Sequence, residues 1–153
     1  MHYILILRLQ FGCVSCQRCI GESGNASGMI AVLMKYYGFN FQWMCSWKPD
    51  ISPEPADEKA LDFLAEFGFN FVRIPLDYRF WTKDFDYFHP DQAMFRTIDG
   101  YLETCRSRGI HVSLNIHRAP GYCTNRNDLE QHNLWQDGIA QNAFVFLWET
   151  FAC

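Results

Sequence analysis

Apolar and polar positions alternate at period two over Ile110, Val112, Leu114 and Ile116, with Ser113, Asn115 and His117 between them. This predicts a strand with one apolar face and a second face that also meets something polar. The strand runs directly into the turn-rich segment Arg118-Ala119-Pro120-Gly121. In parallel α/β proteins the groups at the carboxyl ends of strands line the ligand crevice, so Asn115 and His117 are candidates for a site. The alternative for a histidine in such a place is a core group with a satisfied hydrogen bond.

The same alternation between helical and extended patterns organises the rest of the chain. A short strand is predicted over 39–44, followed by a polar loop over 46–55 that contains Trp47 and three prolines. A helix is predicted over 57–67, with Asp57 and Glu58 in its first turn, Leu61, Leu64 and Phe67 on one face and Gly68 placed to end it. Residues 69–74 then read as a strand stopped by Pro75, which lacks a ladder donor. Pro90 opens a second helix over 91–108, with Met94, Ile98, Tyr101, Leu102 and Cys105 as its apolar stripe and Gly109 at its end. A long loop over 118–137 leads to a third helix from Gly138, with Ile139, Ala143, Phe146, Leu147 and Thr150 on one side.

The order is therefore strand, helix, strand, helix, strand, helix. Tyr37-Gly38-Phe39-Asn40-Phe41 is echoed 30 residues later by Phe67-Gly68-Phe69-Asn70-Phe71, close to the ~31 residues per βα unit of an eight-unit barrel. A partial barrel of about three βα units is expected, with some five strands needed beyond these to close it. Residues 1–33 differ in character: periodicity is weak, and 21–28 is a Gly/Ser/Asn-rich run that reads as a linker. They form a leader or appendage set apart from 35–153.

Composition narrows the class. With 49% hydrophobic residues and 14 Phe, 7 Tyr and 5 Trp, disorder is excluded and an aromatic-rich globular domain is expected. A net charge of -4 without a Lys/Arg cluster speaks against nucleic acid or a membrane surface as a partner and favours neutral polar ligands. Seven cysteines, an odd number scattered over all element types, do not form a disulfide framework. Cys13, Cys16 and Cys19 have a spacing that could begin a metal site, but no fourth ligand is nearby, so no metal is expected. The apolar segment 1–7 is interrupted by Arg8 and has no basic region before it, which makes a poor signal peptide. Asn25-Ala26-Ser27 matches a glycosylation acceptor.

Two strand-end motifs carry a family likeness. Phe71-Val72-Arg73-Ile74-Pro75 ends the second strand, and Asn115-x-His117-Arg118-Ala119-Pro120-Gly121-Tyr122 ends the third. With Gly38-Phe39-Asn40-Phe41 and Asn133-Leu134-Trp135, the chain over 35–153 resembles the amino-terminal part of glycoside hydrolase family 5, the cellulase family. The resemblance implies a (β/α)8 TIM barrel that hydrolyses β-linked polysaccharide with retention of configuration, and it implies no cofactor. Two glutamates do that chemistry in the family, one at the end of the fourth strand and one at the end of the seventh. Neither position falls within this chain, so it is expected to lack both reacting groups and to be inactive by itself. Retaining hydrolysis needs one protonated and one ionised carboxyl group about 5–5.5 Å apart. Asp77, Asp128, Glu130 and Asp137 lie in suitable loops but are expected to cap turns or to be solvated.

The resemblance also assigns supporting roles. Arg73 would sit beside the nucleophile and keep it ionised. His117 would exchange a hydrogen bond with a hydroxyl of the sugar at the cleavage point, and Asn115 is a third polar candidate for substrate contact. Trp47, Tyr78, Trp81, Tyr122 and Trp135 fall in the strand-to-helix loops, where flat aromatic faces can cover the C–H faces of pyranose rings. The competing reading is a non-catalytic carbohydrate-binding or regulatory protein built from three βα units.

Overall fold

The computed structural model describes residues 35–46, 52–124 and 129–152. The cysteine triplet, the 21–28 run, Asn25, Trp47 and Asp128 lie outside them. Four strands, β1 (Gly38–Asn40), β2 (Phe71–Asp77), β3 (His111–Ala119) and β4 (Tyr122–Cys123), form one sheet in that order. The pairs β1–β2 and β2–β3 are parallel, and β4 turns back antiparallel on the end of β3. Three helices, α1 (Glu58–Glu66), α2 (Gln92–Arg106) and α3 (Gly138–Ala152), follow the first three strands in turn. This is a partial (β/α)8 barrel.

Local chemistry explains the helix bounds. Asp57 and Asp91 cap α1 and α2, their carboxylates accepting from Ala60 N at 3.0 Å and Ala93 N at 2.8 Å. Both helices end in the same way. At α1, Phe69 N donates to Leu64 O and Gly68 N to Ala65 O; at α2, Ile110 N donates to Cys105 O and Gly109 N to Arg106 O. Gly68 and Gly109 take φ of +77° and +67°, the left-handed turn that closes this paired motif and sends the chain directly into a strand.

Val72, Ile74 and Leu76 of β2 are fully buried and pack with Leu61 and Leu64 of α1 and with Ile98, Tyr101 and Cys105 of α2. Ile110, Leu114 and Ile116 join them from β3 and its approach. Each such side chain contributes about 1.5–3 kcal/mol by leaving water, so this layer carries the fold. The buried side of α3 is Ala140, Ala143 and Leu147, with Ile139 45% exposed, a stripe shifted by one residue at its start from the expected one. The small alanines let the helix lie close to the β3 hairpin.

The strand bounds correct the sequence reading in a connected way. β2 runs through Pro75, and β1 is shorter than 39–44. Phe41 N donates to Arg73 O at 2.9 Å and Asp77 N donates to Met44 O at 2.9 Å, so alternate residues of β2 face β1. Pro75 lies between those two bonds, where its missing N–H has no ladder partner to disappoint. The chain leaves the ladder over 41–43 and touches it again only through the bridge of Met44 to Leu76. A proline can thus occupy an inner strand if its neighbour departs beside it. Gly38 is fixed by the opposite constraint, since an added Cβ would lie 1.4 Å from Phe71 O.

Candidate functional site at the strand ends

Arg73 projects from β2 between its neighbours. Its Nη1 donates to Asn40 Oδ1 at 3.3 Å and its Nη2 donates to Asn115 Oδ1. One guanidinium therefore ties the end of β1 to the interior of β2 and β3, with its planar fork set by two amides. Asn40 was not singled out from the sequence, although its place beside Arg73 follows from the parallel register Asn40 to Arg73.

The next layer outward is ionic and buried. Asp77, 1% exposed, caps a 3₁₀ turn over Tyr78–Phe80 and binds Arg79, with Nη2 to Oδ2 at 2.6 Å, while Arg118 Nε lies 3.6 Å from the same oxygen. Arg118 Nη1 meets Glu130 Oε1 at 2.7 Å, with both side chains at most 5% exposed. Glu130 Oε2 accepts from Tyr78 OH at 2.7 Å and Gly121 N at 3.2 Å. The expectation for Asp77 holds as a cap, but Glu130 is a buried anchor and not a solvated loop carboxylate. Asp137 accepts from Asn133 N at 2.7 Å and stabilises the turn before α3.

His117 sits where the ladder shifts. Leu76 pairs with Ile116 and Asp77 with Arg118, so β3 carries one extra residue at this point, a bulge of the kind that re-aims side chains at strand ends. Arg118, not His117, thereby pairs with Asp77. His117 remains half-buried, and burial together with the cations Arg73 and Arg118 lowers its pKa from the ordinary 6.5, with Asp77 opposing. The unfolded chain therefore binds more protons in this range, so His117 favours folding above about pH 6.5, and that contribution falls as acid is added. A proton-detected titration of His117 is expected to give a midpoint below that of a model histidine.

The aromatic candidates divide. Tyr78 and Trp81 are 2% and 1% exposed, with Tyr78 against Tyr87 and Trp81 against Phe95 and Phe151. Neither presents a ring face to a ligand, because core packing consumes both faces. Trp135 is 69% exposed and stands edge-to-face with half-buried Tyr122, centroids 5.7 Å apart. An open cavity of about 520 Å³ lies along the β1 side, lined by Asn40, Phe41, Gln42, Trp43 and residues 54–57. Burial pushes the thiols of Cys45 and Cys105 up to about 11, which leaves them protonated at neutral pH. No described group of three His, Cys, Asp or Glu is arranged to hold a metal ion, and no described helix is long and apolar enough to cross a membrane.

Parallel βα units with their polar side chains gathered at the strand carboxyl ends define the layout of a barrel enzyme. Residues 29–152 match the model of the cellulase family, glycosyl hydrolase family 5, and the chain belongs to that family. The match starts at Met29, ahead of the sequence-based boundary at 35. A crystal structure of a glycoside hydrolase is 66% identical, with a TM-score of 0.75 over 78% of this chain and 36% of that one. Endoglucanase C of Acetivibrio thermocellus is 33% identical over 95 residues, 62% of this chain and 27% of that protein. A beta-xylosidase of Phanerodontia chrysosporium is 28% identical over 94 residues, 59% of this chain and 20% of that protein. The chain thus spans about a third or less of the proteins it matches.

Proposed function

We propose that residues 35–153 are the amino-terminal part of an endoglucanase-like hydrolase of β-linked polysaccharide, and that they position substrate without supplying the reacting carboxylates. The observation that carries this reading is Arg73 held between Asn40 and Asn115 on three adjacent strands, with His117 two residues beyond Asn115 on β3. Such a fixed cation is suited to keeping a neighbouring carboxylate ionised as a nucleophile. Asp77 and Glu130 offer no alternative, since both are buried and bound to arginines.

In this reading two glutamates, acting as acid/base and nucleophile, come from the part of the barrel beyond these units, and configuration is retained. That part would also pair with the open edges of β1 and β3 and cover the cavity beside β1. Arg73 and His117 support the site, Asn115 orients both Arg73 and sugar, and Trp135, with Tyr122 edge-to-face against it, stacks on a pyranose ring. No cofactor enters this chemistry.

Reducing-sugar release from soluble β-glucan tests it. The 153-residue chain is expected to release none, and the same chain extended by the remaining barrel strands is expected to be active. In that longer enzyme, Arg73→Lys and His117→Ala should each lower kcat/KM by about a hundredfold. Release of sugar by the 153-residue chain alone would overturn the division of labour. Glucan binding without hydrolysis by the extended chain would favour the carbohydrate-binding alternative.

A further inference from the structure

Four charged side chains, Asp77, Arg79, Arg118 and Glu130, meet at the carboxyl ends of β2 and β3 although burying them costs desolvation that an apolar cluster would avoid. Their partners show what the arrangement secures. Glu130 accepts from Gly121 N at 3.2 Å on the β3–β4 turn, and Gly121 O accepts from Leu134 N at 3.0 Å on the segment that leads to α3. The residues that follow Gly121 and Leu134 are Tyr122 and Trp135, the edge-to-face pair. Gly121 is thus held on one side by Glu130 and on the other by the residue preceding Trp135.

Trp135 is held further by its own turn. Its N–H donates to Asn133 Oδ1 at 2.9 Å, and Asn133 and Asp137 exchange bonds of 2.7 and 2.8 Å. A large apolar ring kept 69% exposed on a turn this restrained loses little conformational freedom when a flat ligand covers it.

We propose that Glu130 is a positioning residue for a pyranose-binding platform formed by Tyr122 and Trp135. It acts through Gly121 and the Arg118 and Tyr78 contacts, and never touches sugar itself. This rests on the polysaccharide reading above for the identity of the ligand, though not for the coupling between Glu130 and the aromatic pair. One face of Trp135 carries the sugar ring while Tyr122 sets its tilt, because rings about perpendicular to each other cannot both lie flat on one pyranose.

The test uses the full 153-residue chain, cellopentaose as the probe, and the near-ultraviolet circular dichroism band that disappears in Trp135→Ala. Trp135→Ala should raise the cellopentaose Kd at least about tenfold with little change in Tm, since the ring is exposed. Glu130→Gln should diminish the band and raise Kd about fivefold, and Tyr78→Phe, which removes only one hydroxyl from the network, should do both to about half that extent. If Glu130→Gln does not fold, Tyr78→Phe decides. An unchanged band and an unchanged Kd in the folded variants would overturn the proposal. If the parent chain takes up no cellopentaose, the polysaccharide reading fails at this platform, and the band alone decides: its weakening supports the positioning role and its persistence overturns it.

Discussion

Arg118→Met is expected to destabilise the chain by about 3–5 kcal/mol, because it leaves a buried carboxylate without its counter-ion. Glu130 would keep Tyr78 OH and Gly121 N as donors but lose its ion-pair partner, the Arg118 guanidinium at 2.7 Å. Asp77 would keep Arg79 at 2.6 Å, so the damage is concentrated on Glu130. Stabilities of single domains are about 5–15 kcal/mol, and this loss is a large share of that. Urea unfolding measures it. Adding Glu130→Gln to the Arg118 variant removes the stranded charge and should recover at least about 1 kcal/mol, a coupling typical of contacting residues. A loss below about 1 kcal/mol for Arg118→Met would show that water reaches the pair.

Gly121→Ala is the second large effect. The residue has φ of +76°, and an added Cβ would lie 2.6 Å from Leu134 N and 3.0 Å from Ala140 Cβ. The first constraint costs about 1–2 kcal/mol in an L-residue. The second breaks the bond from Leu134 N to Gly121 O, a further 1–3 kcal/mol or so if the partners stay buried. Gly68→Ala supplies the control: its φ is +77° and nothing lies within 4 Å of the added Cβ. The expected losses are therefore about 3–4 kcal/mol at Gly121 and about 1 kcal/mol at Gly68. Equal losses at the two sites would mean that the close packing of hairpin on helix is looser than the distances indicate.

The two substitutions also separate local strain from network energy. Arg118→Met leaves the backbone turn intact, whereas Gly121→Ala leaves every charge paired but pushes the Leu134 segment away. Both should disturb the Tyr122–Trp135 pair. Only the second should do so without making the protein sensitive to the charge state of position 130.

Periodicity and punctuation were enough to read the βα order, the Asp57 and Asp91 caps, the Gly68 and Gly109 terminations and the strands that carry Arg73, Asn115 and His117. Each depends on residues adjacent in the chain: a cap and its first turn, a glycine and its helix, an alternation within one strand. Even the family likeness was local, resting on short strand-end motifs.

Tertiary structure decided what depended on neighbours. Pro75 stays within β2 because the chain over 41–43 leaves the ladder beside it, and no property of Pro75 itself announces that departure. The bulge at Leu76 and Asp77 gives the pairing with Asp77 to Arg118 and not to His117, since register is a relation between two strands and period-two counting along one strand cannot see it. Tyr78 and Trp81 share composition and loop placement with Tyr122 and Trp135, yet the first pair is enclosed by Tyr87, Phe95 and Phe151 and the second stands at the rim. Glu130 has the same appearance in sequence as any solvated loop acid. Its burial follows from Arg118, twelve residues earlier, folding back to meet it, a pairing created only when the β3 hairpin closes on the segment before α3.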